Sequence, residues 1–337
     1  MSEGERPILA VTMGDASGVG PEVIAKALMD ERVRERARPL VIGDAGVLAA
    51  AAEVAGVEAR VQGLEDPAEA RWQAETIEVL DLHNVDLPAL PRGRVNAMAG
   101  AAAMACIEKA VALAVAGAVD AIVTAPLNKE ALHLAGYAYA GHTEALAALL
   151  GVRDVVMMLV GGGLRVSHVS THVALREACD RVRCKRIVAV GRLTDEAVRR
   201  LGVDQPRLAV AGLNPHASEG GLFGPEDCDQ IAPAVEELRR QGVDARGPIP
   251  PDTVFWRAAR REFDAVIAMY HDQGHIPVKL LAFDEGVNVT LGLPIIRTSV
   301  DHGTAFDIAW TGVARPNSMI AALLLAVQMA GARPRAR

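Results

Sequence analysis

Residues 8–30 read ILAVTMGDASGVGPEVIAKALMD, and this stretch indicates how the whole chain folds. It begins with a short apolar run typical of a buried strand, passes through a turn with three glycines, and continues into an Ala-rich helical segment. Pro21 directly follows Gly20, and a proline suits the first turn of a helix. A strand that leads into a helix is the repeating unit of an α/β fold with a largely parallel sheet.

The same alternation runs through the rest of the sequence. Strands are predicted at residues 8–12, 40–42, 121–124, 155–160, 164–170, 207–211 and 265–269. Helices are predicted at residues 22–30, 45–55, 97–116, 143–150, 184–201, 225–241 and 317–329. Segment 81–94 has the composition of a surface loop. At 337 residues the chain exceeds the usual size of a single core, so two lobes are expected.

The composition limits the classes of function. The formal net charge is −7 and no basic block occurs, which argues against nucleic acid as a partner. The N-terminus MSEGERPILAV has no apolar signal core, and Glu108 and Lys109 interrupt the Ala-rich stretch 97–118, so we predict neither export nor a membrane span. Four cysteines without CxxC spacing suit a reducing compartment. We therefore expect a soluble cytoplasmic protein.

The glycines after the first strand do not form a known nucleotide motif. Gly14, Gly18 and Gly20 lack GxGxxG spacing, and no GxxxxGK[ST] sequence occurs. Neither a Rossmann fingerprint nor a P-loop is supported, so a bound nucleotide would need another mode of binding.

Three histidines follow predicted strands, where α/β proteins place their ligands. His172, His216 and His271 could together hold a divalent metal that keeps one open position, as catalytic zinc does. The alternative is that each histidine caps its strand end by hydrogen bonding. His168 is set aside, because within one strand it would lie roughly 13 Å from His172.

Groups that bind anions occur near these histidines. Lys279, Asn288 and Arg297 follow His271 along the chain, and Gly141-His142-Thr143-Glu144 opens a predicted helix. Free backbone amides at a helix start favour phosphate or carboxylate. Together these residues indicate a small anionic substrate.

Several stretches also resemble one known family when taken in order. They are GDASGVGPEV (14–23), TAPLNKEAL (124–132), GHTE (141–144), STHVALRE (170–177), NPHASEGGLFG (214–224), AMYHDQGHIPVKLL (268–281) and GVNVTLGLPIIRTSVDHGTAFDIA (286–309). In these motifs the chain resembles the 4-hydroxythreonine-4-phosphate dehydrogenase family. It is more distantly similar to the isopropylmalate and isocitrate dehydrogenases. GDASGVGPEV resembles their opening turn, and DHGTAFDIAWTG (301–312) resembles their cofactor loop.

The resemblance implies a two-lobed isocitrate/isopropylmalate dehydrogenase-like α/β fold, with mostly parallel sheets, helices on both faces and a cleft between the lobes. Residues 1–135 with 300–337 are expected to form the first lobe. Residues 136–299 are expected to form the second, which would carry the metal and substrate residues and the dimer contacts. The resemblance further implies a homodimer with a shared active site, to which His271 is the candidate metal ligand from the neighbouring subunit.

The resemblance also implies roles for individual residues. The metal ligands are His172, His216 and His271. The substrate contacts are His142, Thr143, Lys279, Asn288 and Arg297. The cofactor contacts are Asn288, Leu291, Gly292, Asp301, His302 and Gly303. The catalytic candidates are Asp252, Asp272 and Lys279, with Asp252 slightly preferred as the base. The cofactor is NAD, with NADP as the alternative, and the metal is zinc, with cobalt or magnesium as alternatives.

The implied reaction is oxidation of 4-phosphohydroxy-L-threonine at its C3 hydroxyl, followed by decarboxylation to 3-amino-2-oxopropyl phosphate in pyridoxal phosphate biosynthesis. HDQGHIPVKLL also resembles a branch of the family that acts on D-threonate or D-erythronate 4-phosphate and gives dihydroxyacetone phosphate. A dihydrodiol dicarboxylate dehydrogenase is a more remote alternative, since GHTE is intact here. A phosphate acyltransferase and a non-catalytic phosphometabolite-binding protein are the alternatives from other classes.

Overall fold

The computed structural model describes residues 6–331, in which strands and helices alternate as predicted. The strands, in chain order, are β1 Ile8–Thr12, β2 Arg38–Gly43, β3 Arg60–Leu64, β4 Thr76–Asp81, β5 Ala121–Thr124, β6 Val156–Gly161, β7 Leu164–His168, β8 Arg207–Ala211, β9 Asp244–Ile249, β10 Ala265–Ala268, β11 Val287–Leu291 and β12 Arg297–Val300. The helices are α1 Gly20–Leu28, α2 Glu31–Arg36, α3 Ala45–Val54, α4 Ala97–Val115, α5 Lys129–Leu134, α6 His142–Leu149, α7 Leu175–Asp180, α8 Cys184–Arg200, α9 Ala232–Arg240, α10 Pro251–Ala259, α11 His271–Ala282 and α12 Asn317–Gly331.

The chain divides into two units. The first contains residues 6–155 and 293–331, and its strands run parallel in the order β3-β4-β2-β1-β5-β12. Its centre consists of buried β1 and β5, which are paired so that Thr12 lies opposite Thr124. The carboxyl ends of these two strands therefore place their following loops side by side, which is where α/β proteins bind ligands.

The second unit contains residues 156–292, with strand order β11-β6-β7-β10-β8-β9. β7, β10, β8 and β9 run parallel, whereas β6 is antiparallel to both of its neighbours. Gly162 and Gly163 form the two-residue turn between β6 and β7, and both have positive φ. Such a turn joins antiparallel strands, which explains the exception to the predicted parallel order.

The observed division differs from the expected one at 135/136 and 299/300, because residues 136–155 and 293–299 belong to the first unit. α6 packs on α4, and β12 pairs with β5, so both segments share the core of the first unit. His142, Thr143 and Arg297 consequently belong to the first unit rather than to the second.

Helix α4 is long and apolar enough, by length and composition, to cross a membrane. Its buried face nevertheless contacts β1, β2 and β5 of the first sheet and helix α5. Gly100 lies so close to Ala131 that a side chain there would clash with the backbone of α5. These contacts are those of a core helix, as the interruption by Glu108 and Lys109 predicted.

Candidate active site

The first unit holds a buried arginine, the first residue of β12, whose side chain reaches the carboxyl end of β5. Arg297 is only 3% exposed, and its guanidinium donates a 2.6 Å hydrogen bond to the Thr124 hydroxyl. His142 begins helix α6, and its buried Nε2 atom has no hydrogen-bond partner within residues 6–331. We call Arg297, Thr124 and His142 the arginine site. A buried polar atom without a partner is unusual, and at a site it is available to a ligand.

Burial decides the charges in the arginine site. It lowers the pKa of Arg297 to about 9, which the charge of Glu144 opposes, so the guanidinium is still a cation at neutral pH. Burial and the nearby Arg297 charge hold the pKa of His142 well below its usual range, so this imidazole is neutral. One buried cation next to a neutral imidazole favours an anionic ligand.

Two polar residues near the end of β1 were not singled out from the sequence. The Asp15 carboxyl is 1% exposed; its Oδ1 accepts a 2.8 Å hydrogen bond from the Ser17 amide, while Oδ2 has no partner within the described residues. The buried Thr12 hydroxyl likewise has none within residues 6–331. Burial raises the pKa of Asp15 to about 6, against the effect of the Ser17 and Gly18 amides. The glycines around Asp15 indicate a turn, but nothing in the local sequence indicates that the Asp15 carboxyl is buried.

The expected cofactor loop is held against the glycine turn. Glu22 in α1 accepts hydrogen bonds from the amides of Trp310 and Gly312, and Lys26 donates to the carbonyls of Gly312 and Ala314. The Trp310 indole donates to the carbonyl of Ala16 at 3.1 Å. The two motifs that resemble the isopropylmalate dehydrogenases are therefore in direct contact.

Three predicted cofactor residues begin this loop directly after β12. The Asp301 amide donates to the Ser318 hydroxyl at 3.1 Å, while His302 and Gly303 are exposed. Thr304, which follows them, is buried against Gly18, and its carbonyl accepts a hydrogen bond from the Val19 amide. Gly18 is needed here because a Cβ would come within 2.9 Å of Thr304.

In the second unit, histidines gather at the ends of β7 and β10. The ring centroids of His172 and His271 lie 5.7 Å apart, and both residues line a cavity of about 410 Å³. His275 stacks on His271 at 3.7 Å, and His168 lies 4.7 Å from His275. We call His168, His172, His271 and His275 the histidine cluster.

The strand predicted at residues 164–170 is two residues shorter in the structure, and His172 lies outside it. β7 ends at His168, and the chain then turns, with the Val173 amide donating to the Thr171 carbonyl. The distance argument against His168 therefore fails, but His168 is buried and hydrogen-bonded to His275. Burial and the neighbouring histidines lower the pKa of His168 to about 3, which keeps it neutral.

The two aspartates considered as bases have different surroundings. Asp272 Oδ1 lies 2.6 Å from His271 Nδ1, so it is well placed to fix the tautomer of that ring. Asp252 is exposed in the first turn of α10. Sequence reasoning does not separate these two roles, because it does not predict that α11 starts at His271.

His216 lies on a strained loop after β8. Four successive non-glycine residues, 216–219, have positive φ, a conformation that L-residues adopt at a cost and that clusters at functional sites. Buried Asp227 supports the loop by accepting hydrogen bonds from the amides of Leu213 and Asn214 and from the Asn214 side chain. His216 itself is exposed, and its ring contacts Phe223 at 6.4 Å.

The donor atoms fit a divalent metal in part. Imidazole nitrogens bind zinc at about 2.0–2.1 Å, so two rings on one ion have centroids roughly 5–6 Å apart, as His172 and His271 have. The Asp272 carboxylate on His271 is also a common partner of a metal-binding histidine. Within residues 6–331 of one chain, however, no group of three or more His, Cys, Asp or Glu side chains could hold a metal ion, so His216 is not brought to the pair.

The other residues of the second unit that were predicted to contact substrate or cofactor are Lys279, Asn288, Leu291 and Gly292. The Lys279 amine, in α11, lies 5.9 Å from the Phe283 ring. Asn288, in β11, has a buried Oδ1 atom without a hydrogen-bond partner among the described residues. Leu291 ends β11 and is buried, and Gly292 follows with a φ of 89°. Asn288 is thus the residue of this group whose partner a ligand could supply.

The fold and these side chains define an α/β enzyme with histidines clustered after two strands of the second unit and a buried arginine bonded to the end of β5 in the first. The chain belongs to the family described as Pyridoxal phosphate biosynthetic protein PdxA, which matches residues 35–326. The resemblance drawn from the motifs is therefore confirmed.

Its relatives are named as dehydrogenases. The D-threonate 4-phosphate dehydrogenase of Cupriavidus necator is 49% identical over 328 residues, which cover 97% of this chain and 98% of that protein. The 4-hydroxythreonine-4-phosphate dehydrogenase of Desulforapulum autotrophicum is 46% identical, with 96% of each chain covered. The crystal structure of 4-hydroxythreonine-4-phosphate dehydrogenase from Klebsiella pneumoniae matches with a TM-score of 0.91 and 49% identity, over 98% of this chain and 99% of that one.

Proposed function

We propose that the chain is a cytoplasmic, NAD-dependent and divalent-metal-dependent dehydrogenase that oxidises and decarboxylates the 4-phosphate of a four-carbon hydroxy acid. The arginine site carries this proposal. Arg297 is a buried cation, and His142 beside it is neutral with a partnerless Nε2 atom. A phosphate or carboxylate would accept a hydrogen bond from His142 Nε2 and would lie next to the positive charge of Arg297. NADP is the alternative cofactor.

4-Phosphohydroxy-L-threonine, the first choice from the sequence, is supported by relatives of that activity's name that are 46% and 49% identical, and it would place the enzyme in pyridoxal phosphate biosynthesis. D-threonate 4-phosphate is the alternative substrate, supported by a relative of that name that is 49% identical. These two substrates both have a phosphate at C4 and a hydroxyl at C3, so the same residues can serve either one.

Oxidation of the hydroxyl needs a hydride acceptor, which NAD supplies when bound, and stabilisation of the alkoxide, which a divalent metal supplies. His172, His216 and His271 would hold the metal, for which neutral imidazoles favour zinc over cobalt and magnesium. Asp272 would keep His271 in the tautomer that leaves Nε2 free.

The other residues would bind substrate and move the proton. Arg297, Lys279 and the His142-Thr143 helix start would bind phosphate and carboxylate, and Asn288 would use its partnerless Oδ1 atom. Asp252 would accept the hydroxyl proton. The new ketone lies β to the carboxylate, so the acid then loses CO2.

We also propose that the enzyme is a homodimer with a shared active site, in which the partner completes the set of metal ligands. Helix α11, which begins at His271, exposes a large apolar face: Ile276 (56%), Leu280 (80%), Leu281 (55%) and Phe283 (75%). Exposed apolar patches of this kind mark protein interfaces. A second copy on this face would lie directly beside His271 and would supply the third ligand that one chain lacks.

A substrate panel tests the proposed activity. NADH formation is measured with D-threonate 4-phosphate, D-erythronate 4-phosphate, 4-phosphohydroxy-L-threonine and a dihydrodiol dicarboxylate. We expect activity on the phosphorylated acids and little on the dihydrodiol. Activity only on the dihydrodiol would contradict the phosphate assignment. Acyl transfer to phosphate without NADH formation would indicate an acyltransferase, and binding without turnover a phosphometabolite-binding protein.

A further inference from the structure

Two buried histidines lie behind His271, and the proposed reaction uses neither of them. His168 ends β7 and is 1% exposed, and His275 lies in the second turn of α11 and is 6% exposed. The His275 ring stacks almost parallel on the His271 ring, with centroids 3.7 Å apart and an interplanar angle of 11°. One face of His271 is therefore covered by a second imidazole.

Hydrogen bonds lock the covering ring in place. His168 Nδ1 lies 3.4 Å from the Met157 carbonyl, which can only accept, so Nδ1 carries the proton and Nε2 is left as an acceptor. His275 Nδ1, 3.2 Å from that Nε2, is then the donor. The same Nδ1 lies 3.1 Å from the His271 carbonyl. The chain of contacts runs from β6 through both histidines to the first residue of α11.

The backbone of α11 is shaped to admit this arrangement. A Cβ on Gly274 would lie 2.4 Å from His168 Nε2 and 2.7 Å from a methyl group of Val166. Any larger residue at 274 would push the His168 ring away from His275. The four-residue spacing of His271 and His275 places both rings on one side of the helix.

We propose that His275, locked by His168, is a positioning residue that orients the His271 imidazole for metal binding. This inference rests on the proposed metal site. Asp272 holds the Nδ1 atom of His271, and the stacked His275 ring holds the plane of the His271 ring. The tautomer and the orientation of the His271 ring are therefore both fixed before the metal binds. Groups that orient a metal ligand from behind contribute about 10- to 100-fold in metal affinity.

Metal affinity of the full-length enzyme tests the proposal. His275→Leu removes both the stack and the hydrogen bond, and His275→Phe keeps an aromatic ring but cannot donate to His168. Zinc affinity is measured by competition with a chromophoric chelator, and the cobalt-loaded proteins are compared by their visible absorption bands. His133→Leu, an exposed histidine in α5 of the first unit, is the matched control, and thermal melting of the metal-free proteins reports folding.

We expect His275→Leu to bind zinc about 10- to 100-fold more weakly with shifted cobalt bands, and His275→Phe to fall between it and the wild type. His133→Leu should match the wild type. Wild-type affinity and cobalt bands in both His275 variants would overturn the positioning role while leaving the metal site intact. A wild-type protein that binds neither zinc nor cobalt would overturn the metal site as well.

Discussion

The arginine site and the histidine cluster are both groups of polar side chains that include buried members, but they differ in how their atoms are satisfied. In the arginine site, His142 Nε2 has no hydrogen-bond partner within residues 6–331. In the histidine cluster, His168 and His275 bond each other, and His271 bonds Asp272. The first arrangement is incomplete without a ligand, whereas the second fixes its side chains in advance.

This difference indicates two kinds of function. A buried cation beside an imidazole nitrogen that has no hydrogen-bond partner within residues 6–331 gains stability when an anion arrives, which suits a substrate that comes and goes. Rings held by stacking and hydrogen bonds suit a resident ion, whose ligands must be oriented before it binds.

Removal of a metal ligand should have the largest effect. His271→Ala is expected to lose zinc and to lower kcat/KM by more than the roughly 10- to 100-fold that loss of an outer partner costs. Metal content and NADH formation are the measurements, with His133→Ala as the control. A His271→Ala protein that retained both zinc and activity would refute the role of the histidine cluster.

Arg297→Gln should have the second-largest effect on activity. Removal of one partner of a buried charge pair costs about 2–5 kcal/mol, so kcat/KM should fall by about 30-fold to several thousand-fold. Arg297 is expected to bind either the phosphate or the carboxylate of the substrate. The loss should be much smaller for a substrate analogue that lacks the group that Arg297 binds. Arg246→Gln, on the surface beside Asp244, is the control. Equal losses for substrates with and without each anionic group would break the assignment of the arginine site.

Asp272→Asn should have an intermediate effect. The neutral amide still reaches His271 Nδ1, 2.6 Å away, but without the negative charge that increases the basicity of the ring. Zinc affinity should fall by about 10- to 100-fold, and the fall in activity should be recovered at high zinc. If added zinc restored nothing, Asp272 would be acting on the substrate as a base instead of on His271.

The smallest effect concerns stability in the first unit. Because burial raises the pKa of Asp15 from 3.8 to about 6, the folded state holds this proton more tightly than the unfolded chain. The stabilisation from this group is full below pH 3.8 and is lost as the pH rises through about 6. Asp15→Asn should therefore gain stability relative to the wild type by about 2.4 kcal/mol between pH 4 and pH 8.

Urea unfolding at both pH values measures this gain, with exposed Asp229→Asn as the control. A gain that did not depend on pH would show that the Asp15 carboxyl is already ionised at low pH in the folded protein.

The sequence predicted the parts of the fold that have a strong pattern. Buried β1, β5 and β8 match residues 8–12, 121–124 and 207–211, because each is a short apolar run followed by a turn. β11 and β12 were missed, although Gly292 and Pro294 mark the turn between their two β-branched runs. α11 was missed because Gly274 and Pro277 are unusual in a helix, although Gly274 makes room for His168.

Site residues could be predicted where they lie in a motif that resembles the family. His172 and His271 were selected from strand ends and the resemblance, and the structure places their rings 5.7 Å apart. His275 and Asp15 could not be found in this way, since their importance depends on contacts across the fold. The four-residue spacing of His271 and His275 was the available signal, and it needed a helix at 271 to be recognised.

The most direct test of the account is metal-dependent NADH formation. The enzyme is stripped with a chelator and assayed with NAD and D-threonate 4-phosphate or 4-phosphohydroxy-L-threonine while zinc, cobalt or magnesium is titrated back. We predict no NADH without metal, and full recovery at about one ion per chain with at least one of these metals. Full activity of the metal-free protein would contradict the assignment of His172 and His271 as metal ligands.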